Sequence, residues 1–317
     1  MKKTDFIKAL QPQVFIEKTT KKMAYQATLE FCRTMASITK EGKRSFNLWA
    51  SAGSMIAFQT VLPSTALQFN YVIHAIKDAI HMQLDDYVGL PKFDEASFGY
   101  DLNRRVYNPF GIEAQNIIYF DTSVGMPAAI YLQNAIMRGD NKEEIKESTR
   151  TLKNALQYYL YTKLPKQIEE AKKETDITVA VIGIGVDYHL AFVEPKSHLI
   201  KTQKPVGLAE LTEVSRRQQV ELDKRFASLW KVPKYALSVS LKTILEADKI
   251  FVIVPYEAKA DTLAKLFSSL NGSYGDIQND IVASYLFRED ILPKTKFFFD
   301  YDSISKSEIL QSLANTS

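Results

Sequence analysis

The sequence predicts one doubly wound α/β domain, with a single, mostly parallel sheet and helices on both of its faces. Apolar, β-branched runs typical of buried strands alternate with amphipathic helical patterns along the chain. No Pro-, Gly- or Ser-rich linker, low-complexity segment or internal repeat divides the 317 residues. The apolar content of 46% is ample for a large core. We therefore interpret residues 1–317 as a single domain.

The predicted elements follow from apolar runs and periodicity. Strands are predicted at 45–50, 79–84, 116–120, 177–182, around Ser238, and at 249–255 and 296–300. Apolar positions recur at spacings of three and four over 21–40, which predicts an amphipathic helix with Cys32 in the core. Residues 141–176 are the most helical stretch of an insertion at about 127–175, and Pro165 is expected to kink or split it. A C-terminal helix is predicted over 303–317.

The composition excludes several classes of protein. Lys and Arg total 40 against 37 for Asp and Glu, and this net charge of +3 is too small to indicate a nucleic-acid surface. The single cysteine excludes an intramolecular disulfide framework and favours a reducing compartment. No window approaches the ~20 apolar residues of a membrane span. We expect a cytoplasmic protein that binds neither nucleic acid nor membrane.

The stretch that follows the strand at 177–182 carries the clearest chemical signal. The strand breaks at Gly183 and Gly185, and three ionisable residues come within the next nine positions: Asp187, His189 and Glu194. Open α/β sheets bind ligands at the carboxyl ends of their strands, so this position favours chemistry. The alternative is that His189 is a hydrogen-bonded structural residue. Tyr188 stands where a GxGxxG motif needs its third glycine, which excludes a nicotinamide or flavin site.

Two other strand ends carry weaker signals. The strand at 45–50 runs into Ser51, Ala52, Gly53 and Ser54, and a helix is predicted to start at Met55. Free N–H groups at a helix N-terminus favour an anion, although Ser54 could instead be an N-cap. Asp85 and Asp86 follow the strand at 79–84. Adjacent carboxylates can supply a general base and a group that orients it, or can form a solvated turn.

Several motifs, in order, resemble the glucosamine-6-phosphate deaminase (isomerase) family, which also contains the 6-phosphogluconolactonases. The family's DEYVGL appears here as DDYVGL at 85–90, and its GxGxDGHIAFNEP appears as GIGVDYHLAFVEP at 183–195. Its VPKYALT segment is matched by VPKYALS at 232–238, and a lysine after the next strand falls on Lys259. The resemblance extends from about Asn47 to Asp302 and implies a Rossmann-like fold of the deaminase/isomerase type.

The resemblance also implies roles for particular residues. Asp85 would move a proton between C1 and C2 of an amino sugar phosphate, and His189, oriented by Asp187 and Glu194, would open the sugar ring. The phosphate would bind to residues 51–54, Lys259 and one of the two arginines Arg216 and Arg217. Asp86 and Tyr188 are expected to contact the substrate. The resemblance implies no metal or organic cofactor, which agrees with the absence of a plausible ligand cluster among His74, His81, His189 and His198.

The implied function is conversion of an amino sugar 6-phosphate to a ketose 6-phosphate with release of ammonia. The Glu194-Pro195 ending favours this branch over the lactonases, which resemble it only up to the histidine. A lactonase-like hydrolase and a sugar-phosphate sensor without turnover are the alternatives. A phosphorylated sugar is the expected partner, and a second copy of the chain is a further candidate.

Three departures from the family pattern fall inside the expected site. Tyr188 replaces a glycine, where the family needs either an unusual backbone angle or room for the sugar. Val193 replaces an asparagine and removes hydrogen-bonding capacity beside Glu194. Ala52 and Met55 alter the phosphate loop. Because the ionisable groups are retained, these changes fit a shifted substrate better than loss of function.

Overall fold

The computed structural model describes residues 3–51, 53–69, 71–91, 94–222, 224–270 and 277–315. Ten strands are formed within these residues. They are β1 (Val14–Glu17), β2 (Ser45–Trp49), β3 (Ile80–Gln83), β4 (Asp85–Tyr87), β5 (Ile117–Ile118), β6 (Ile177–Ile182), β7 (Val206–Glu210), β8 (Tyr235–Val239), β9 (Lys249–Val254) and β10 (Thr295–Asp300).

Seven of these strands form the main sheet, in the order β1-β10-β9-β6-β2-β3-β5. Every pairing in it is parallel, so the carboxyl ends of the strands meet along one edge. β6 lies at the centre, between β2 and β9, and its Val179, Ala180 and Val181 are completely buried. The predicted parallel, doubly wound sheet is confirmed.

The helices pack around this sheet. They are α1 (Lys3–Leu10), α2 (Thr20–Lys40), α3 (Ile56–Ala66), α4 (Val72–Asp78), α5 (Phe98–Leu102), α6 (Asn108–Phe110), α7 (Met126–Arg138), α8 (Lys142–Tyr158), α9 (Leu164–Lys173), α10 (Glu213–Glu221), α11 (Leu241–Leu245), α12 (Ala260–Ser269), α13 (Tyr301–Ile304) and α14 (Glu308–Ala314). None of the described helices has the length and apolar character required to cross a bilayer.

Helices lie at two of the predicted stretches, with boundaries that differ from the prediction. In the insertion, the α-helical pattern gives way to a π-helical turn at Tyr159–Lys163, and α9 begins there with Pro165 in its first turn. Pro165 therefore lies where its missing N–H costs least. The C-terminal helix is divided into α13 and α14, because Ser307 caps a new start by accepting from the Leu310 N–H.

A second, three-stranded antiparallel sheet, in the order β4-β8-β7, was not predicted from the sequence. Leu84 joins it to the main sheet: its N–H donates to the Trp49 carbonyl and its carbonyl accepts from the Val239 N–H, both at 2.9 Å. This connection holds the small sheet over the carboxyl edge of the main sheet. Asp85, the first residue of β4, is consequently held rigidly at that edge, opposite Ser238.

Candidate active site

A small buried chamber of about 30 Å³ lies at the carboxyl ends of β2, β6 and β9. Five of the residues predicted from the sequence line it together: Ser51, Ser54, Asp85, His189 and Lys259. The remaining wall is formed by glycines and aliphatic residues after β2 and β6, two aromatic rings and two glutamines: Ala50, Gly183, Ile184, Gly185, Ala191, Phe98, Phe192, Gln218 and Gln219. Such a volume holds about one water molecule.

The loop after β6 is shaped by two close approaches and by strained backbone. A Cβ at Gly185 would overlap the His189 imidazole, and a Cβ at Gly183 would lie 2.7 Å from Ser54 Oγ. Tyr188 and Ala191 on either side of His189 have φ angles of 71° and 50°. Left-handed backbone costs about 1–2 kcal/mol at a non-glycine residue. The two glycines therefore allow the histidine and the loop after β2 to pack closely against the end of β6. They do not serve dinucleotide binding.

His189 is held against Asp187 by a hydrogen bond of 2.5 Å between Nδ1 and Oδ1. Burial lowers the pKa of the imidazole, but the Asp187 charge and hydrogen bond outweigh it and raise the pKa to about 9. Burial acts in the opposite direction on Asp187, and the imidazolium holds the pKa of that carboxyl well below its usual range. At neutral pH the pair is an imidazolium and a carboxylate. Nδ1 is engaged by Asp187, so Nε2 is the ring nitrogen available to a ligand.

Thr212 links Asp187 to Glu194. Its hydroxyl lies 3.2 Å from Asp187 Oδ2 and 3.1 Å from Glu194 Oε2, and it also caps α10 by accepting from the Ser215 N–H. Glu194 is 2% exposed, and burial, together with the nearby Asp187 charge, raises its pKa to about 7. His189 is thus backed by one ionised carboxylate and by a second that titrates near neutrality.

Asp85 faces the same chamber and has a strongly perturbed acidity. Burial and the neighbouring Asp86 raise the pKa of Asp85 to about 8, while the charges of His189 and Arg225 act to lower it. Arg225 donates to Asp101 Oδ2 at 2.5 Å, and its guanidinium stacks over the Phe98 ring, 4.6 Å from the centroid. Sequence analysis missed Arg225, because the charged run that contains it resembles a solvated helix.

Asp86 is turned away from the chamber and anchors the adjacent backbone. Its carboxylate accepts five hydrogen bonds, from Gln83 Nε2, Tyr87 N, Ser97 Oγ, Phe98 N and Gly99 N. These donors saturate the two oxygens. The geometry therefore does not support the expected contact between Asp86 and the substrate. Asp86 instead connects β4 to the start of α5.

The expected anion cradle lies where β2 ends. The Gln59 side chain donates to the Ala50 carbonyl at 2.8 Å and fixes this turn. Helix α3 has Met55 at its N-cap, so Ser54 does not serve as that cap. Gly53, Ser54 and Lys259 also line an outer pocket of about 390 Å³, which shares Ser54, Gln218 and Lys259 with the chamber. Ala52 lies outside the described residues.

Lys259 reaches the chamber because the loop after β9 is clamped. Tyr256 in this loop has φ = 77°, and its N–H donates to both carboxylate oxygens of Asp300 at 3.2 Å. Asp300 also accepts from Thr20 Oγ1 and from the Ser303 N–H. Lys259 itself is 5% exposed. Asp300, at the end of β10, therefore positions the loop that delivers the lysine.

Three further predicted site residues, besides Asp86, lie away from the chamber. The Tyr188 ring lies on an outer groove, 5.5 Å from Lys265 Nζ. The Arg216 guanidinium donates to the Leu229 and Val232 carbonyls, and Arg217 forms exposed pairs with glutamates. Tyr188 therefore adopts the left-handed backbone angle that a glycine would favour, and its side chain is directed outward. The helical rotation of α10 presents Gln218 and Gln219 to the chamber, instead of the two arginines.

Asp187, His189 and Glu194 also form a group whose ligand atoms lie within 4.8 Å of one another. That spacing alone would suit a metal ion. The Asp187 to His189 hydrogen bond and the Thr212 hydroxyl between the two carboxylates already account for this arrangement. We therefore interpret the group as an acid–base unit.

Sequence comparison identifies relatives of this chain. It is 27% identical over 186 residues to a glucosamine-6-phosphate deaminase of Histophilus somni, which is 59% of this chain and 55% of that protein. It is 28% identical over 187 residues to the glucosamine-6-phosphate deaminase of Clostridium beijerinckii, which is 59% of this chain and 61% of that one. The matches thus span little more than half the length of these curated relatives. Comparison with models of known protein families gave no match.

Comparison with solved structures confirms the fold. A monomeric glucosamine-6-phosphate deaminase superposes with a TM-score of 0.63 at 18% identity, covering 93% of this chain and 99% of the other. The 6-phosphogluconolactonase of Thermotoga maritima superposes with a TM-score of 0.58 at 13% identity, covering 91% and 99%. Solved proteins of both names thus share the fold of this chain.

Proposed function

This chain is a relative of the glucosamine-6-phosphate deaminases, and we propose that it converts an amino sugar 6-phosphate to a ketose 6-phosphate with release of ammonia. The observation that carries the proposal is the placement of three groups in one chamber. A base of raised pKa, Asp85, a protonated imidazole, His189, and a buried lysine beside the β2 turn, Lys259, all line it. Aldose–ketose chemistry on a phosphorylated sugar needs these three functions.

The phosphate anchors the substrate at the end that does not react. The Ser51 and Ser54 hydroxyls, the N–H groups of the turn that starts at Gly53, and Lys259 supply hydrogen bonds of the kind that a phosphate dianion accepts. The outer pocket adjoins this cradle, so a sugar phosphate would enter through it. Because the chamber holds only about one water molecule, the sugar would extend from it into the outer pocket.

Ring opening is assigned to His189. A pKa of about 9 keeps the imidazole protonated at neutral pH, so it can give a proton to the ring oxygen as the bond between C1 and that oxygen breaks. The C1 hydroxyl loses its proton as the aldehyde forms, and this proton restores the imidazolium. Asp187 stabilises the imidazolium before and after this transfer, and Glu194 supports Asp187 through Thr212.

Proton transfer between C1 and C2 is assigned to Asp85. The carboxylate removes the C2 proton of the open-chain aldehyde, and the resulting enolamine takes a proton at C1. Water then adds at C2, and ammonia leaves as the C2 carbonyl forms. Asp85 must be ionised for the first of these steps. Arg225 and the substrate's ammonium group both favour the ionised form.

A 6-phosphogluconolactonase-like hydrolysis is the second candidate, because lactonases share the fold. That reaction needs a neutral imidazole to take a proton from water. A pKa of about 9 keeps the imidazole largely protonated at pH 7, which suits the proton donation of ring opening. The candidate side chains all come from one chain, and the proposed chemistry uses no metal or organic cofactor. Sugar phosphates are charged and retained inside cells, so we place the reaction in the cytoplasm.

The test is a coupled assay of the purified protein with a panel of amino sugar 6-phosphates. Ammonia and ketose phosphate are measured together, and hydrolysis of 6-phosphogluconolactone is measured in parallel. Equal yields of ammonia and ketose phosphate from one sugar support the proposal and name the substrate. Lactone hydrolysis alone would move the protein to the other branch, and tight sugar-phosphate binding without either product would make it a sensor.

A further inference from the structure

Two adjacent glutamines of α10 form the wall of the chamber that faces the ends of β2 and β6. Gln218 and Gln219 both line the chamber and are 7% and 2% exposed. Neither belongs to the acid–base unit or to the phosphate cradle. Buried amides of this kind need hydrogen-bond partners, so their own bonding shows what they can offer a ligand.

Gln218 is committed to the protein. Its Oε1 accepts from the Val186 N–H at 3.3 Å, in the loop between β6 and His189. It also lines the outer pocket beside Ser54 and Lys259. Gln218 therefore stands at the boundary between the phosphate cradle and the chamber.

Gln219 is different, because its acceptor is unused. Its Oε1 is buried and accepts no hydrogen bond from any residue that the structure describes. The backbone of Gln219 is fixed, since its carbonyl accepts from the N–H groups of Arg225 and Phe226 at 2.8 and 3.3 Å. A buried acceptor without a donor destabilises the folded protein. The presence of this unpaired acceptor in the chamber wall is explained if a bound ligand supplies the hydrogen-bond donor.

We propose that Gln219 is a substrate-binding residue whose Oε1 accepts a hydrogen bond from a hydroxyl or ammonium group of the bound sugar, and that it thereby selects sugar phosphates over phosphate alone. The proposal rests on the proposed function, because it assumes that the sugar occupies the chamber with Asp85 and His189. A wall that carries a buried acceptor rejects a ligand without a donor more strongly than an apolar wall does.

Binding is measured by calorimetry in a protein that cannot turn over. The parent is Asp85→Asn, and the probes are glucosamine 6-phosphate and inorganic phosphate. Adding Gln219→Leu should lower the affinity for glucosamine 6-phosphate roughly 10-fold or more. The affinity for inorganic phosphate should stay within about 2-fold of the parent's. The matched control is Gln133→Leu on α7, whose amide donates to the Trp230 carbonyl outside the chamber and should change neither affinity.

Thermal unfolding of the ligand-free protein provides a second readout. If Gln219 had a structural role, Gln219→Leu would lower Tm. Gln219→Leu in the wild-type chain should raise Tm by about a degree or more, because an apolar side chain of similar size replaces an unpaired acceptor. Saturating glucosamine 6-phosphate should then raise Tm less in the variant than in the wild type.

Three results would overturn the inference: equal affinity for glucosamine 6-phosphate with and without Gln219→Leu, a matching loss for inorganic phosphate, or no sugar-phosphate binding by the parent. The proposed function fails separately, if the wild type binds glucosamine 6-phosphate and releases no ammonia. In that case a loss of affinity in Gln219→Leu would still support the sugar contact.

Discussion

Asp187 accepts the Nδ1 proton of His189 at 2.5 Å, and the two side chains form an ion pair beneath the chamber. Each partner changes the acidity of the other: the pKa of His189 is raised to about 9, and that of Asp187 is lowered. The imidazole is therefore an acid at neutral pH. The pH dependence of the reaction follows from this pair and from Asp85.

The first prediction concerns the pH profile of kcat/KM, which reports the free enzyme. Activity should rise as Asp85 loses its proton around pH 8 and fall as His189 loses its proton above pH 9. Asp187→Asn removes the charge that stabilises the imidazolium, so the alkaline limb should move down by roughly 1 to 3 pH units. Glu213→Gln, which removes an exposed partner of Arg217, is the control and should leave both limbs in place. An alkaline limb that does not move in Asp187→Asn would remove His189 as its source.

The second prediction concerns stability. The pKa of Asp85 is about 8 in the folded protein and near 3.8 in the unfolded chain, so the folded state binds more protons between these values. The free energy of unfolding should therefore decrease as pH rises from about 4 to 8, and Asp85→Asn should remove the Asp85 share of this decrease, leaving the share that comes from the raised pKa values of Glu194 and His189. We expect Tm of the variant to exceed that of the wild type by a few degrees at pH 8, with a much smaller difference at pH 4. Glu170→Gln on the exposed face of α9 is the control. A pH-independent difference in Tm would mean that Asp85 is ionised in the folded protein.

The third prediction concerns two glycines. Gly185→Ala places a Cβ where the His189 ring lies, so kcat should fall by 100-fold or more as the imidazole is displaced. Gly139→Ala at the end of α7 is the matched control, because its φ is 74° and nothing lies within 4 Å of the added Cβ. That variant should lose about 1 kcal/mol of stability and keep its activity. Comparable activity of the two variants at equal fractions folded would contradict the role of Gly185.

The fourth prediction concerns the phosphate. Lys259→Ala removes a charge-assisted hydrogen bond worth about 1.5–3 kcal/mol, so KM for a phosphorylated sugar should rise roughly 10- to 100-fold. Lys265→Ala, on α12 and beside the outward-facing Tyr188, should leave KM unchanged. The phosphate role of Lys259 would be wrong if the variant weakened binding of an unphosphorylated sugar by the same factor.

The parallel sheet could be predicted because its strands are apolar runs. β6 and β9 lack charge within their buried parts. The resemblance placed His189 and Lys259 in one site, and the parallel pairing of β6 and β9 explains why these residues line one chamber. The small sheet could not be predicted in this way. Two of the three residues in β4 are aspartates, and they are tolerated inside only because Asp86 accepts five hydrogen bonds and the pKa of Asp85 is raised.

The wall formed by α10 was beyond sequence reasoning for a different reason. Arg216 and Arg217 are the charged residues of this helix that a phosphate would favour, while Gln218 and Gln219 carry no comparable signal. Which of the four face the chamber depends on the rotation of α10, which is set by the Thr212 cap and by the bonds of Arg216 to the Leu229 and Val232 carbonyls. Those contacts are tertiary and leave no local pattern.

The most direct test of the central claim is the stoichiometry of ammonia and ketose 6-phosphate formed from glucosamine 6-phosphate by the wild type and by Asp85→Asn. We predict equal amounts of both products from the wild type and a loss of at least 1,000-fold in kcat for the variant, with binding of inorganic phosphate unchanged. Turnover by Asp85→Asn at the wild-type rate, or lactone hydrolysis with no ammonia from any amino sugar phosphate, would contradict the proposed function.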